Sequence, residues 1–289
     1  MPQPNRVVRC AARPQPLRYP KSTRGPHLFE SLVLGIVQGI TEWLPLSSQG
    51  AVTAIGSSLF NLTLADAISF ALWLHLGTAV AAVIAFRREI LDLGREALGD
   101  PLHPPPLLRF AVAGTTVSAI IGVPVILALD DLSAVIGAGA MLVVGLAMLC
   151  TAIVLRTHPH GGTRVRGDLS LLDALAFGIV QGFAAIPGLS RSGLTISLLL
   201  GRRFDRAEAL AVSFLMSIPA SLGAALFVGF DRDGVGLTEG FLGAVVSAGV
   251  GLASIKALLA VAHRVNFAAF VAVVGVAVIA GGIVQIVWF

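Results

Sequence analysis

Glu42, Ser47 and Ser48 stand in one short stretch of apolar sequence, with Gln38 and Thr41 just before them; Ser190, Arg191, Ser192 and Thr195 stand in another. A positioned carboxylate can take up a proton, and a planar guanidinium can grip two phosphate oxygens at once. Solubility does not explain either charge. A charged side chain at the centre of a bilayer costs about 2.5–3.5 kcal/mol even on lenient insertion scales, so Glu and Arg within membrane segments default to function. The simpler alternative is an ion pair that only holds two segments together, but such a pair does not require hydroxyls around it. Isolated Ser and Thr residues in membrane helices usually bond their own helix or a neighbour. Grouped beside Arg191 where a helix restarts, with free N–H groups adding positive dipole, they suit an oxygen-rich anion.

The elements that carry these residues occur twice. Residues 35–50 read GIVQGITEWLPLSSQG and residues 178–193 read GIVQGFAAIPGLSRSG. Gly-Ile-Val-Gln-Gly repeats letter for letter, Leu46-Ser47 aligns with Leu189-Ser190, and Gly50 aligns with Gly193. Pro45 in the first copy and Pro187-Gly188 in the second must interrupt any helix that runs through them. Irregular backbone at membrane depth survives only where protein or a wet cavity satisfies its polar groups. Each block is therefore expected to form a re-entrant hairpin of two half-helices, at 31–60 and at 171–200.

The remainder of the chain suits such hairpins. Of 289 residues, 56% are hydrophobic and 12% charged, and the mean hydropathy is +0.88. That composition excludes a soluble globular chain and places this one with multi-span helical membrane proteins. Apolar runs long enough to cross a bilayer fall near 65–86, 107–129, 134–155, 208–229, 240–262 and 267–288, without barrel-like alternation. The expected fold is all-α: six spans and two hairpins. A hairpin returns to its own side, and three spans per half then turn the second copy over, giving an inverted-topology repeat. The expected organisation is a basic disordered tail at 1–27, a first repeat at 28–160 and a second at 161–289.

Loop charges set the orientation. Arg87, Arg88, Arg95, Arg156, Arg164, Arg166, Arg202, Arg203, Arg206 and Arg264 fall on one side, and Asp130, Asp131, Asp231, Asp233 and Glu239 on the other. The cationic side is cytoplasmic by the positive-inside rule, with the Arg-rich tail as the exception. The net charge of +4 is thus a matter of membrane orientation, and no nucleic-acid partner is expected. Cys10 and Cys150 form no redox or metal motif, and the six histidines show no metal spacing. No feature assigns an oligomeric state.

The pair QGITEWLPLSS and PGLSRSGLT resembles the two motifs of the bacitracin-resistance type undecaprenyl-diphosphatase family. FALWLHLGTAVAAVIAFRREI and RRFDRAEALAVSFLMSIPA fit as well, and the similarity spans roughly 29–288. It implies hydrolysis of a polyprenyl diphosphate to the monophosphate and phosphate on the outer face of the cell membrane, recycling a lipid carrier for envelope synthesis. Matched position by position, Gln38 and Glu42 are the paired residues of the first motif. Ser47 and Ser48 are its serine pair, the second serine being the nucleophile, and Ser190, Arg191, Ser192 and Thr195 belong to the second motif. Many bacterial members carry His three residues after that second serine; here Ala51 stands there, so a mechanism assisted by that His does not transfer. Glu42 is instead expected to be the general base, on Ser48 or on a water, with Arg191 stabilising the transferred phosphoryl group.

His75, in the middle of ALWLHLGT, is the nearest substitute for the missing imidazole, although a lone His in a helix more commonly packs or hydrogen-bonds. Mg²⁺ or Ca²⁺ is expected to arrive with the diphosphate, since the site has a single carboxylate to offer a metal and the protein builds no metal site of its own. Broken helices in inverted repeats also build secondary transporters, so a polyprenyl-phosphate flippase is the alternative reading.

Overall fold

A computed structural model describes residues 26–136, 140–157, 162–186, 189–228, 236–261 and 267–288. Residues 1–25 of the expected tail, the Pro187-Gly188 break and residues 229–235, which take in most of the expected acidic loop, lie outside the described residues. Among those described the chain is helical, with one isolated β-bridge between Arg164 and Phe204. The first hairpin is α1 (Leu28–Thr41) and α2 (Ser48–Phe60). It leads into α3 (Leu64–Ala85), α4 (Arg87–Gly99), α5 (Pro106–Ile136) and α6 (Ala140–Thr157). The second hairpin is α7 (Leu171–Phe183) and α8 (Arg191–Gly201), followed by α9 (Arg206–Leu215), α10 (Ser217–Val228), α11 (Leu237–Val261) and α12 (Phe267–Trp288).

Among the described residues, four segments are long and apolar enough to cross a membrane: Asp66–Ala85, Pro106–Ala128, Arg206–Ala224 and Leu237–Leu258. Shorter apolar stretches lie in α6 (Gly145–Val154) and α12 (Val271–Gly281). The hairpin helices have 11 to 14 residues. At about 1.5 Å per residue they fall short of a hydrocarbon core about 30 Å thick. Both hairpins fold back on themselves. Phe29 at the start of α1 meets Phe60 at the end of α2, ring centroids 6.4 Å apart. In the second, the strand-like stretch before α7 pairs with the turn after α8: Gly162 N–H donates to the Phe204 carbonyl (2.9 Å) and Asp205 N–H to the Arg164 carbonyl (2.9 Å). Buried Asp173, in the first turn of α7, holds Arg164 (2.7 Å) and Arg202 (2.6 Å) at that same end.

The repeated Gly-Ile-Val-Gln-Gly has a packing cause. Gly35 and Gly39 lie one helical turn apart on α1, where α11 approaches so closely that an added Cβ would come within 2.7 Å of the Gly243 carbonyl oxygen and 2.8 Å of the Gly251 nitrogen. Gly178 and Gly182 do the same for α7 against α5, where a Cβ would meet the Gly114 carbonyl at 2.6 Å and Ile121 Cβ at 2.7 Å. Small residues spaced four apart let backbones approach where lipid supplies no hydrophobic drive. Each hairpin thus packs on a long helix of the other half.

Polarity is arranged for a lipid solvent. Gln38, Glu42, Ser48, Asp173, Ser192 and Thr195 are buried, while Phe29, Val112, Ile120, Leu171 and Phe241 are exposed. Three local readings change. The span placed at 208–229 is interrupted for one residue at Met216, between α9 and α10, although Arg206–Ala224 remains long and apolar enough to cross; residues 87–99, placed in a loop, form α4. Asp130 and Asp131, assigned to a loop, lie inside α5, which continues through Pro124.

Candidate active site

The polar residues sit where the hairpins turn. α1 ends at Thr41 with Glu42 as its C-cap, and α2 restarts at Ser48 with Ser47 as N-cap. The Ser47 hydroxyl accepts the Gly50 N–H at 3.1 Å; in the second hairpin the Ser190 hydroxyl accepts the Gly193 N–H, also at 3.1 Å. Both hydroxyls are therefore occupied in satisfying helix starts. The next residues, Ser48 and Arg191, are the first helical positions of α2 and α8, and the register that aligns Gly50 with Gly193 aligns them with each other. A hydroxyl and a guanidinium thus hold equivalent places at two helix N-termini.

The tips touch. Glu42 Oε1 accepts a hydrogen bond from Arg191 Nη2, joining the halves through an ion pair. Glu42 Oε2 accepts from Ser48 Oγ (2.6 Å) and from Gln38 Nε2 (2.9 Å), and His75 Nε2 lies 3.3 Å from that same oxygen. Arg191 is steadied from behind by Nη1 donating to the Ser213 carbonyl on α9 (3.1 Å). Ser192 Oγ donates to the Leu44 carbonyl across the tips (2.8 Å). Gly193 allows this approach, since a Cβ there would lie 2.7 Å from Thr151 Cγ2 and 3.2 Å from Pro45 Cβ. Trp43 is fully buried edge-on against Phe214 (5.2 Å), so it packs the hairpin onto α9.

A cavity of about 50 Å³ opens between the tips, and Glu42, Ser47, Ser48, His75, Arg191 and Ser192 line it. Gln38, Ser190 and Thr195 stand behind them. Gln38 orients the carboxylate, and Ser190 caps α8. Thr195 Oγ1 bonds the Arg191 carbonyl and Ser213 Oγ, each at 2.7 Å, and fastens α8 to α9. Thr41 bonds its own helix through the Val37 carbonyl (2.7 Å). Ser213 and the Leu44 carbonyl escaped sequence reading, because a serine in an apolar run and a backbone carbonyl carry no local signal.

This constellation can move a proton from a serine hydroxyl to a carboxylate while a fixed guanidinium faces the same cavity. A family profile described as bacitracin resistance protein BacA matches residues 31–281, a region containing both hairpins but for the first three residues of α1, and every cavity-lining residue named above. The chain belongs to the BacA family. Among similar proteins is the undecaprenyl-diphosphatase of Methanococcoides burtonii, 38% identical over 262 residues, covering 86% of this chain and 96% of that one. The undecaprenyl-diphosphatase of Methanopyrus kandleri is 38% identical over 246 residues (83% of this chain, 90% of that one). That of Haloarcula marismortui is 34% identical over 267 residues (89% and 97%). Within this BacA chain, residues from both halves of the repeat complete one polar centre.

Proposed function

We propose that this protein hydrolyses undecaprenyl diphosphate, or a closely related polyprenyl diphosphate, to the monophosphate and inorganic phosphate, returning a lipid carrier to envelope synthesis. The observation that carries this reading is the Ser48 hydroxyl donating at 2.6 Å to a carboxylate that is itself fixed by Arg191. In the first step Ser48 Oγ bonds to the terminal phosphorus as its proton moves to Glu42 Oε2. The bridging P–O bond breaks, and polyprenyl monophosphate leaves with the electron pair. In the second step water adds to phosphorus, the bond to Ser48 breaks, and the serine oxygen regains a proton. Negative charge gathers on the equatorial phosphoryl oxygens, where Arg191 and the N-termini of α2 and α8 stabilise it. Ser47 and Ser192, also at the cavity wall, contact the headgroup in this reading, with Gln38, Ser190 and Thr195 supporting them.

The membrane organisation belongs to the same proposal: six spans in two inverted repeats, at 28–160 and 161–289, whose hairpins enter from opposite faces, with the cavity opening outward. Mg²⁺ or Ca²⁺ enters as the diphosphate's counter-ion. The fit supports this role, because one Glu42 oxygen is held by Arg191 and the other by Ser48 and Gln38, leaving no free carboxylate for a resident cation. A flippase needs to bind the anion and has no use for a serine hydroxyl seated on a carboxylate. Purified protein in detergent, given farnesyl or undecaprenyl diphosphate, is expected to release phosphate with turnover. Saturable binding without release would replace hydrolysis by transport.

A further inference from the structure

His75 approaches the polar centre from α3, an element outside both hairpins. Its Nδ1 lies 2.6 Å from the Ala71 carbonyl. A carbonyl has no proton to give, so Nδ1 carries one and donates it, which fixes the ring and its tautomer. Nε2 is then the nitrogen left to face the cavity, 3.3 Å from Glu42 Oε2. That oxygen is the one to which Ser48 donates, whereas Arg191 occupies the other. The Nε2 edge of the ring is thus turned toward the oxygen that receives the serine proton. The ring also lines the cavity and is 15% exposed, against 4% for Glu42, so it lies on the path between the carboxylate and water.

We propose that His75 Nε2 is the terminal acceptor of the Ser48 proton, with Glu42 Oε2 as the relay between them. The proposal rests on the hydrolytic reading above and assigns a proton carrier to it. Its chemical basis is ordinary basicity: an imidazole nitrogen is a better proton acceptor than a carboxylate oxygen. As Ser48 Oγ bonds to phosphorus, its O–H bond breaks and the proton passes through Oε2 to Nε2. An imidazolium then stands beside a restored carboxylate, and that carboxylate keeps its pairing with Arg191. In the second step the imidazolium returns the proton through Oε2 to the departing Ser48 oxygen. Water adds to phosphorus and leaves within dihydrogen phosphate, so protons and charge balance. The charged groups lining the cavity with His75 are Glu42 from the first hairpin and Arg191 from the second; α9, α10 and α11 contribute none to its wall.

The test compares the full-length protein with His75→Gln and His75→Asn in detergent, following phosphate release from farnesyl diphosphate across the pH range of imidazole titration. Gln places a polar amide toward Glu42 and Asn keeps a donor toward the Ala71 carbonyl, but neither can carry a proton. Both are expected to lose about 100-fold in kcat with little change in KM. The acid limb of the wild-type pH profile, where a neutral acceptor is lost, should disappear in both variants. His75→Ala should regain part of its rate from added imidazole, which provides an answer even if the amide variants fold poorly. A His75→Gln protein with wild-type kcat and an unchanged acid limb, or a His75→Ala protein that imidazole does not accelerate, would overturn the proposal. A wild-type protein that releases no phosphate would remove the hydrolytic reading and this one together, an outcome distinct from a defect confined to the variants.

Discussion

Replacing Glu42 by Gln is expected to lower kcat for phosphate release by about 10³-fold, within the usual range for loss of a general base. Gln has nearly the same volume, but its single carbonyl oxygen can accept from either Ser48 or Arg191, which donate to different oxygens of Glu42, and it cannot take up the serine proton. The cavity therefore keeps its shape, and KM should change far less than kcat. The variant also leaves Arg191 without its counter-charge. Arg191 retains its bond to the Ser213 carbonyl and a water-facing cavity, so the protein should remain folded. Thermal unfolding in detergent separates the two effects. A folded Glu42→Gln protein within about tenfold of the wild-type rate would remove the carboxylate from the chemistry.

Arg191→Ala is the second large effect, for a different reason. No proton passes through a guanidinium; its contribution is a fixed positive charge directed at oxygens that become more negative as the phosphoryl group transfers. Removing such a group costs on the order of 10²–10³-fold in kcat, and a planar fork on phosphate has no equal among the other side chains. Arg191→Lys restores charge without the fork and should recover only part of the rate. Stability should suffer as well. Glu42 is 95% hidden from solvent, and taking away one member of a buried ion pair generally costs about 3–5 kcal/mol. Two donors, Ser48 and Gln38, remain on Oε2, which places this chain toward the lower end. The thermal midpoint of Arg191→Ala should therefore fall below that of Glu42→Gln, although both lose activity. Equal activity of Arg191→Ala and wild type would leave the ion pair as a mere tie between the halves.

The site was legible in the sequence because its costliest residues have no other reason to be where they are. Glu42 and Arg191 are charges in apolar sequence, and the repeat aligns their neighbourhoods residue by residue. The structure separates the two serines: Ser47, like its counterpart Ser190, caps a helix, whereas Ser48 takes the place equivalent to Arg191 and donates to Glu42. The repeated glycines are part of the same logic, since α1 and α7 can approach α11 and α5 only where no Cβ intervenes.

What was not legible depends on contacts between distant elements. Whether His75 packs or reaches the site depends on how α3 is rotated, and twenty-two helical residues of nearly uniform apolarity do not specify that. Nothing local marks Ser213 as the prop behind Arg191. The one-residue interruption at Met216, inside the apolar stretch Arg206–Ala224, has no proline or glycine at the break itself, so nothing local marks it. The amphipathic residues of α4 read as a charged loop because Arg87, Arg88, Asp92 and Arg95 dominate the stretch; as a helix between two apolar elements, it can present its leucines to the membrane interface.

The central claim is that two hairpin tips meet so that Glu42 can activate Ser48 against a phosphoryl group held by Arg191. Its most direct test is rapid acid quenching of the enzyme with a polyprenyl diphosphate labelled in its terminal phosphate, followed by peptide analysis. The account predicts transient label on the peptide containing Ser48, formed in a burst before steady turnover and absent from Ser48→Ala and Glu42→Gln. Phosphate release at the wild-type rate by Ser48→Ala, with no label on any peptide, would contradict it.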